Sequence, residues 1–186
     1  MVKGIVLFEQ KDFLSLKKIK SKDELAEDNI GYLIENSEEK EIRKIVDKLR
    51  DKNKIIAVQA FGNNLNRRIL ETMKINYLIF PEKVDKRDNI KQRDSGINHV
   101  TAKIARDNRI DFLINYSELQ KIEGKERALI FARIIQNLKI CRKVGAKIKI
   151  GSFAKNKKDI VEKKELQEFL LSLGASTIQS KDSVNY

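Results

Sequence analysis

The chain has 186 residues, 41% hydrophobic and 35% charged, with 39 Lys+Arg against 27 Asp+Glu and a net charge of +12. Its composition is that of one cored domain spanning residues 1–186, and it excludes a membrane-embedded protein, since no apolar run nears the ~20 residues of a spanning helix. The lone Cys141 excludes an internal disulfide and a cysteine zinc cluster, which fits a reducing, cytoplasmic setting, and the single His99 removes nearly every histidine-dependent metal site.

In chain order, short β-rich runs alternate with segments of helical period. Gly4–Phe8 reads as a first strand, its apolar run too short for a secretory leader. Further strands are predicted at Ile30–Ile34, Ile55–Ala60, Asn76–Phe80, Ile110–Tyr116, Lys147–Gly151 and Ala175–Gln179. Helix is predicted over Glu38–Lys52, where Ile42, Ile45, Val46 and Leu49 form one apolar stripe. The same spacing marks Asn64–Lys74, Ile97–Asn108, Lys125–Val144 and Glu162–Leu173, with Gly174 as a helix-ending residue. Asp94 and Ser95 are expected to cap the helix that begins near Ile97.

Strand–helix alternation along the whole chain implies parallel strands joined by right-handed crossovers. The predicted class is α/β, a distorted TIM-like (β/α) barrel of about seven strands. A doubly wound open sheet is the competing topology. The connection Pro81–Ser95 is long and polar, and is either a ligand-binding loop or solvated surface.

Positive charge is unevenly placed. Residues 1–60 hold 13 basic and 12 acidic groups, whereas residues 61–186 hold 26 and 15. From Lys139 to Lys158 there are eight cations and no acid, a repulsive arrangement that a polyanion relieves. The favoured partner is a phosphate backbone, ahead of a membrane surface.

Chemistry-bearing motifs are sparse. The glycine-rich nucleotide loops, the serine-hydrolase elbow and the HExxH pair are absent. His99 shares a helix face with Lys103, and either hydrogen-bonds a phosphate or ribose or packs at the helix start. Asp107 with Asp111, or Glu118 with Glu123, fall short of the converging acids that a two-metal hydrolase needs. Cys141 reads as a small core residue, as do Phe112 and Phe131. Tyr116 and Phe153 directly follow strands, where an aromatic ring is placed to stack on an unpaired base.

The segment DSGINHVTAKIARDNRIDFLINYSELQ (Asp94–Gln120), followed by NLKICRKVGAKIKIGSFA (Asn137–Ala154), resembles the p30 family of archaeal and eukaryotic ribonuclease P subunits, also called component 3. The likeness is carried by Asn98, His99, Ala102, Lys103 and Ala105, by Asn115, Tyr116 and Ser117, by Arg133, Asn137 and Leu138, and by Gly151, Ser152 and Ala154. Where the family has an Arg-Pro-Asp type segment, this chain has Lys155–Asp159, with Asp159 retained.

That resemblance implies a barrel related to metal-dependent phosphoesterases but lacking their metal ligands. It implies a non-catalytic subunit that stabilises ribonuclease P RNA during removal of the precursor-tRNA 5′ leader. The chain itself would bind no cofactor, catalytic Mg2+ would sit on the RNA, and the protein partner would be component 2, the Pop-five-like subunit. The alternative is a stand-alone barrel phosphoesterase acting on a small phosphorylated substrate. Candidate RNA-binding residues are Arg67, Arg68, Arg87, Lys91, Arg93, His99, Lys103, Arg133, Arg142, Lys155, Lys157 and Lys158, with no catalytic and no metal-ligating residue.

Overall fold

The structure is a computed structural model that describes residues 4–8, 13–25, 31–83 and 93–186. Seven strands form one sheet in sequential order: β1 Gly4–Phe8, β2 Phe13–Ile19, β3 Gly31–Ile34, β4 Ile55–Gln59, β5 Tyr77–Ile79, β6 Asp111–Asn115 and β7 Ile148–Gly151. β1 runs antiparallel to β2, and every later pair is parallel. A doubly wound sheet reverses its strand order at a switch point. The unbroken order here is that of a singly wound barrel wall. Among the described residues β7 does not pair with β1, so the wall is open on that side.

The helices are α1 Glu39–Leu49, α2 Asn63–Thr72, α3 His99–Asp107, α4 Tyr116–Lys121, α5 Gly124–Val144, α6 Lys163–Ser172 and α7 Thr177–Ser183. In α1 the stripe Ile42, Ile45, Val46 and Leu49 is buried, and in α2 Ile69 and Leu70 are. Every residue of β3, β5 and β7 is buried, as strands covered on both faces require.

Three expectations change. Ala175–Gln179 is not a strand: Ser176 caps α7, its hydroxyl accepting from Gln179 N while the Gln179 side chain accepts from Ser176 N. That Ser-x-x-Gln box starts a helix and overrides the β-branched Thr177 and Ile178. Phe13–Ile19 is a strand that hydrophobic runs alone did not mark, formed by hairpin pairing with β1. The cap of α3 is Asn98, whose Oδ1 accepts from Val100 N and Thr101 N at 2.9 Å each. Asp94 and Ser95 lie further upstream, with Asp94 accepting from Asn63 Nδ2 at 2.8 Å.

Gly174 ends α6 as expected. Its φ is +88°, its amide donates to Leu171 O at 2.9 Å, and Ala175 N donates to Leu170 O at 3.0 Å. Those two bonds are the paired closure of a Schellman turn.

Candidate nucleic-acid interface

A cleft of about 320 Å³ opens between the start of α2 and the segment leading into α3. It is lined by Asn63, Asn64, Arg67, residues 93–98 and Thr101. Since α2 follows β4 and residues 93–98 follow β5, the cleft lies on the carboxyl-end side of the strands, where barrel proteins place their sites. Gly62 precedes α2 without a side-chain cap, so the first amides of that helix have no capping acceptor there. Two cations flank this opening. Arg67 is exposed and pairs with Glu71 at 2.7 Å, and Arg93 is exposed beside it.

Behind the cleft sits a buried polar frame. Arg133, on α5, is 1% exposed and its Nη1 donates to Glu82 O at 2.9 Å. Asn137, one turn further on, donates to Glu82 Oε1 and to Ser95 O, both at 2.9 Å. Gln136 Nε2 reaches Ser95 Oγ at 3.1 Å and Arg93 O at 3.2 Å. One helix therefore holds both described ends, Glu82 and Arg93–Ser95, of the long polar connection after β5. Gly96 completes the fit. Its φ is +75°, and a Cβ built there would lie 1.9 Å from Pro81 O.

The sequence candidates scatter. Arg67 and Arg93 line the cleft, both exposed; His99 and Lys103 are exposed on α3 but do not line it. Arg68 is exposed and bonds Glu39 at 2.8 Å; with Arg43 it holds the Glu39 carboxyl below the ordinary carboxylate range. Arg142 is exposed near the far end of α5, its Nη1 3.4 Å from Gln179 Oε1. Lys155 and Lys158 are exposed in the connection after β7, and Lys157 begins the 3-10 turn Lys157–Asp159 there. Arg87 and Lys91 lie outside the described residues.

Arg133 needs correcting: it is a buried tether, and its guanidinium does not face solvent. The run from Lys139 to Lys158 is also divided. Lys149 is only 5% exposed, and the cations on either side of β7 emerge at opposite ends of the strand. Phe153 is buried, and Tyr116 packs edge-to-face on Phe169 with ring centroids 5.1 Å apart, so both serve the core. Sequence reasoning missed Asn63 as a cleft residue. It also missed the frame residues Glu82 and Gln136. The signal for Asn98 was present in the Asn-x-x-Thr spacing.

Among the described residues no group of three His, Cys, Asp or Glu is placed to hold a metal ion, and no helix is long and apolar enough to cross a membrane. Fold and surface together define a β/α-barrel protein with a polar, cation-flanked cleft. The chain matches the ribonuclease P subunit p30 family over residues 30–186, and it belongs to that family. Ribonuclease P protein component 3 of Methanocaldococcus jannaschii is 31% identical over 143 residues, which is 77% of this chain and 59% of that protein. The component 3 of Methanothermobacter thermautotrophicus is 24% identical over 187 residues, 97% of this chain and 74% of that one. A chain in the cryo-EM structure of archaeal ribonuclease P with mature tRNA superposes with a TM-score of 0.68 at 30% identity, over 81% of this chain and 62% of that chain. A Xaa-Pro dipeptidase shares the fold alone, with a TM-score of 0.58 at 14% identity over 84% of this chain and 42% of its own. The chain thus spans about three fifths of the first relatives it matches.

Proposed function

We propose that this chain is a non-catalytic protein subunit of ribonuclease P, binding and stabilising the catalytic RNA during removal of the 5′ leader from precursor tRNA. The observation that carries this reading is the 30% identity and TM-score of 0.68 to a chain of archaeal ribonuclease P bound to mature tRNA. Chemistry supports it. Folded RNA brings phosphates together at a high electrostatic cost, which protein cations and Mg2+ both offset by displacing condensed counterions. A chain of net charge +12 with exposed Arg67, Arg93, Lys103, Lys155 and Lys158 supplies such cations. Bond breaking would belong to Mg2+ bound by the RNA. The protein partner in this reading is component 2, the Pop-five-like subunit, and the setting is the cytoplasm.

Reconstitution tests it. Ribonuclease P RNA with the other protein subunits should process precursor tRNA at low Mg2+ when this chain is present and lose that activity when it is omitted, with activity regained at high Mg2+. Equal activity with and without the chain at every Mg2+ concentration would overturn the reading. So would metal-dependent phosphoester hydrolysis by the purified chain without RNA.

A further inference from the structure

Charge is divided unequally between the two ends of the barrel. Among the described residues, the connections leaving the carboxyl ends of the strands toward helices, 35–38, 60–62, 80–83, 93–98 and 152–162, contain five cations and six acids. Those entering the amino ends of β4 to β7, residues 50–54, 73–76, 108–110 and 145–147, contain six cations and one acid. The end of the barrel that holds the cleft is therefore electrically balanced. The opposite end is strongly positive.

The sheet aligns these cations. Asn76 N donates to Ile56 O at 2.8 Å, Asp111 N to Asn76 O at 3.0 Å, and Phe112 N to Lys147 O at 3.1 Å. With Ala57 opposite Tyr77, Tyr77 opposite Asp111 and Phe112 opposite Ile148, the residues Lys54, Lys74, Arg109 and Lys147 lie one to three residues before the amino ends of four neighbouring strands, within three residue levels of one another. At roughly 4.8 Å per strand the row is about 14 Å wide.

Lys74, Arg109 and Lys147 are exposed, and none forms a salt bridge with another described residue. Two nearby acids are engaged elsewhere, Asp47 with Arg50 at 3.5 Å and Asp107 with Arg106 at 2.7 Å, while Asp111 lies 4.0 Å from Lys149 and also feels Lys147. Arg109 also occupies a left-handed position, φ +57°, just past the end of α3. Glycine or asparagine fills such a position with less strain. An arginine there projects an exposed cation from a three-residue turn.

We propose that the amino-terminal end of the barrel, centred on Lys74, Arg109 and Lys147, is a surface that binds the phosphate backbone of structured RNA. It is separate from the cleft and rests on the RNA-binding reading above. Like charges in a row repel, and a polyanion laid across them relieves that repulsion while releasing its own counterions.

The test is a salt titration of the full chain binding transcribed archaeal ribonuclease P RNA. A triple reversal, Lys74→Glu, Arg109→Glu and Lys147→Glu, should make the slope of log K against log salt shallower by about three and weaken binding about tenfold or more at low salt. A matched reversal of Lys121, Lys125 and Lys164 should change the slope by less than about one. Equal effects of the two triples would overturn the proposal, since net charge alone would then explain binding. An unaffected triple with a steep wild-type slope would overturn it too, yet would leave the RNA-binding reading standing. A flat wild-type slope would remove both. Should the triple fail to fold by circular dichroism, the single Lys74→Gln, Arg109→Gln and Lys147→Gln changes decide it. Each should flatten the slope by about one, and no change in any of the three would overturn the proposal.

Discussion

Asn137 Nδ2 donates to Glu82 Oε1 at 2.9 Å, and both side chains are fully buried. Among the described residues the second carboxylate oxygen of Glu82 has no hydrogen-bond partner. Burial pushes this carboxyl up to about 7, against the smaller opposing effects of Asn137 and Arg133. The unfolded chain releases that proton near the ordinary value of 4.5. Between those two values the folded state holds more protons, so stability falls as pH rises through the window and levels above it. The Glu82 contribution is at most about 1.4 kcal/mol per pH unit. Glu82→Gln should remove this fall. Urea unfolding at several pH values from 4.5 to 8 checks it, and identical pH profiles for the two proteins would contradict the assignment.

Asn137→Ala should cost about 2–5 kcal/mol, because it strips a donor from Glu82 Oε1 and from Ser95 O in a site closed to water. Hydrogen exchange should also quicken in residues 93–98, which the frame holds against α5. A loss of stability without faster exchange there would mean that the frame supports the core and not the connection.

Much of the barrel was legible in the sequence, since α1 and α2 each carry a local apolar stripe and strands β4 and β5 are continuous apolar runs. Helical spacing also marks α3, α5 and α6, although α5 buries Ile130, Ile134, Leu138 and Cys141 and leaves exposed Ala128 and Leu129, which its spacing places inside. What failed was short or non-local. α4 has six residues, too few for a stripe to declare itself. β2 is fixed by pairing with β1. Arg133 looked like a surface cation, yet it shares the buried side of α5 with Ile130, Ile134 and Asn137. Its acceptor on Glu82 lies 51 residues away, a pairing that no local pattern reveals. The basic run from Lys139 to Lys158 was real as a sequence feature but crosses the barrel from one end to the other, so its charges do not form one patch.

Two glycines with positive φ should respond differently to alanine. Gly174→Ala meets no atom within 4 Å, so only the left-handed backbone is penalised, about 1–2 kcal/mol. Gly96→Ala adds a clash, with its Cβ 1.9 Å from Pro81 O and 2.6 Å from Pro81 C. The Pro81–Gly96 contact must then open, and the thermal midpoint should drop well below that of the Gly174 variant. Equal melting temperatures would refute the close approach.

Cys141 is fully buried, and its thiol is pushed up to about 12, chiefly by burial and secondarily by Glu82. Alkylation requires the thiolate, so the native protein at pH 8 should resist iodoacetamide over hours while the urea-unfolded chain reacts within minutes. Rapid native modification would place the thiol at the surface.

Lys149 offers the sharpest test of how the open side of the wall is finished. It lies between Ile148 and Ile150 in β7, and its Nζ donates to Asp182 O at 2.7 Å and to Asn185 O, with Asp111 4.0 Å away. The last carbonyls of a helix lack internal partners and carry partial negative charge, so a buried ammonium here caps the end of α7. The Tyr186 hydroxyl adds a bond to Ile150 O, tying the residues after α7 to the same strand. Burial holds Lys149 below its ordinary value of 10.5, opposed by Asp111. The unfolded chain therefore binds more protons in the window just below 10.5, and stability from this group rises with pH there. Lys149→Met keeps the bulk but removes the charge, leaving Asn185 O without the ammonium and Asp111 with only the more distant influence of Lys147, while Asp182 O keeps the Asn185 amide at 3.2 Å. The expected loss is about 2 kcal/mol, with faster amide exchange in α7 and no alkaline rise in stability. If α7 stays fully protected in this variant, packing against β7 holds the helix and the ammonium does not.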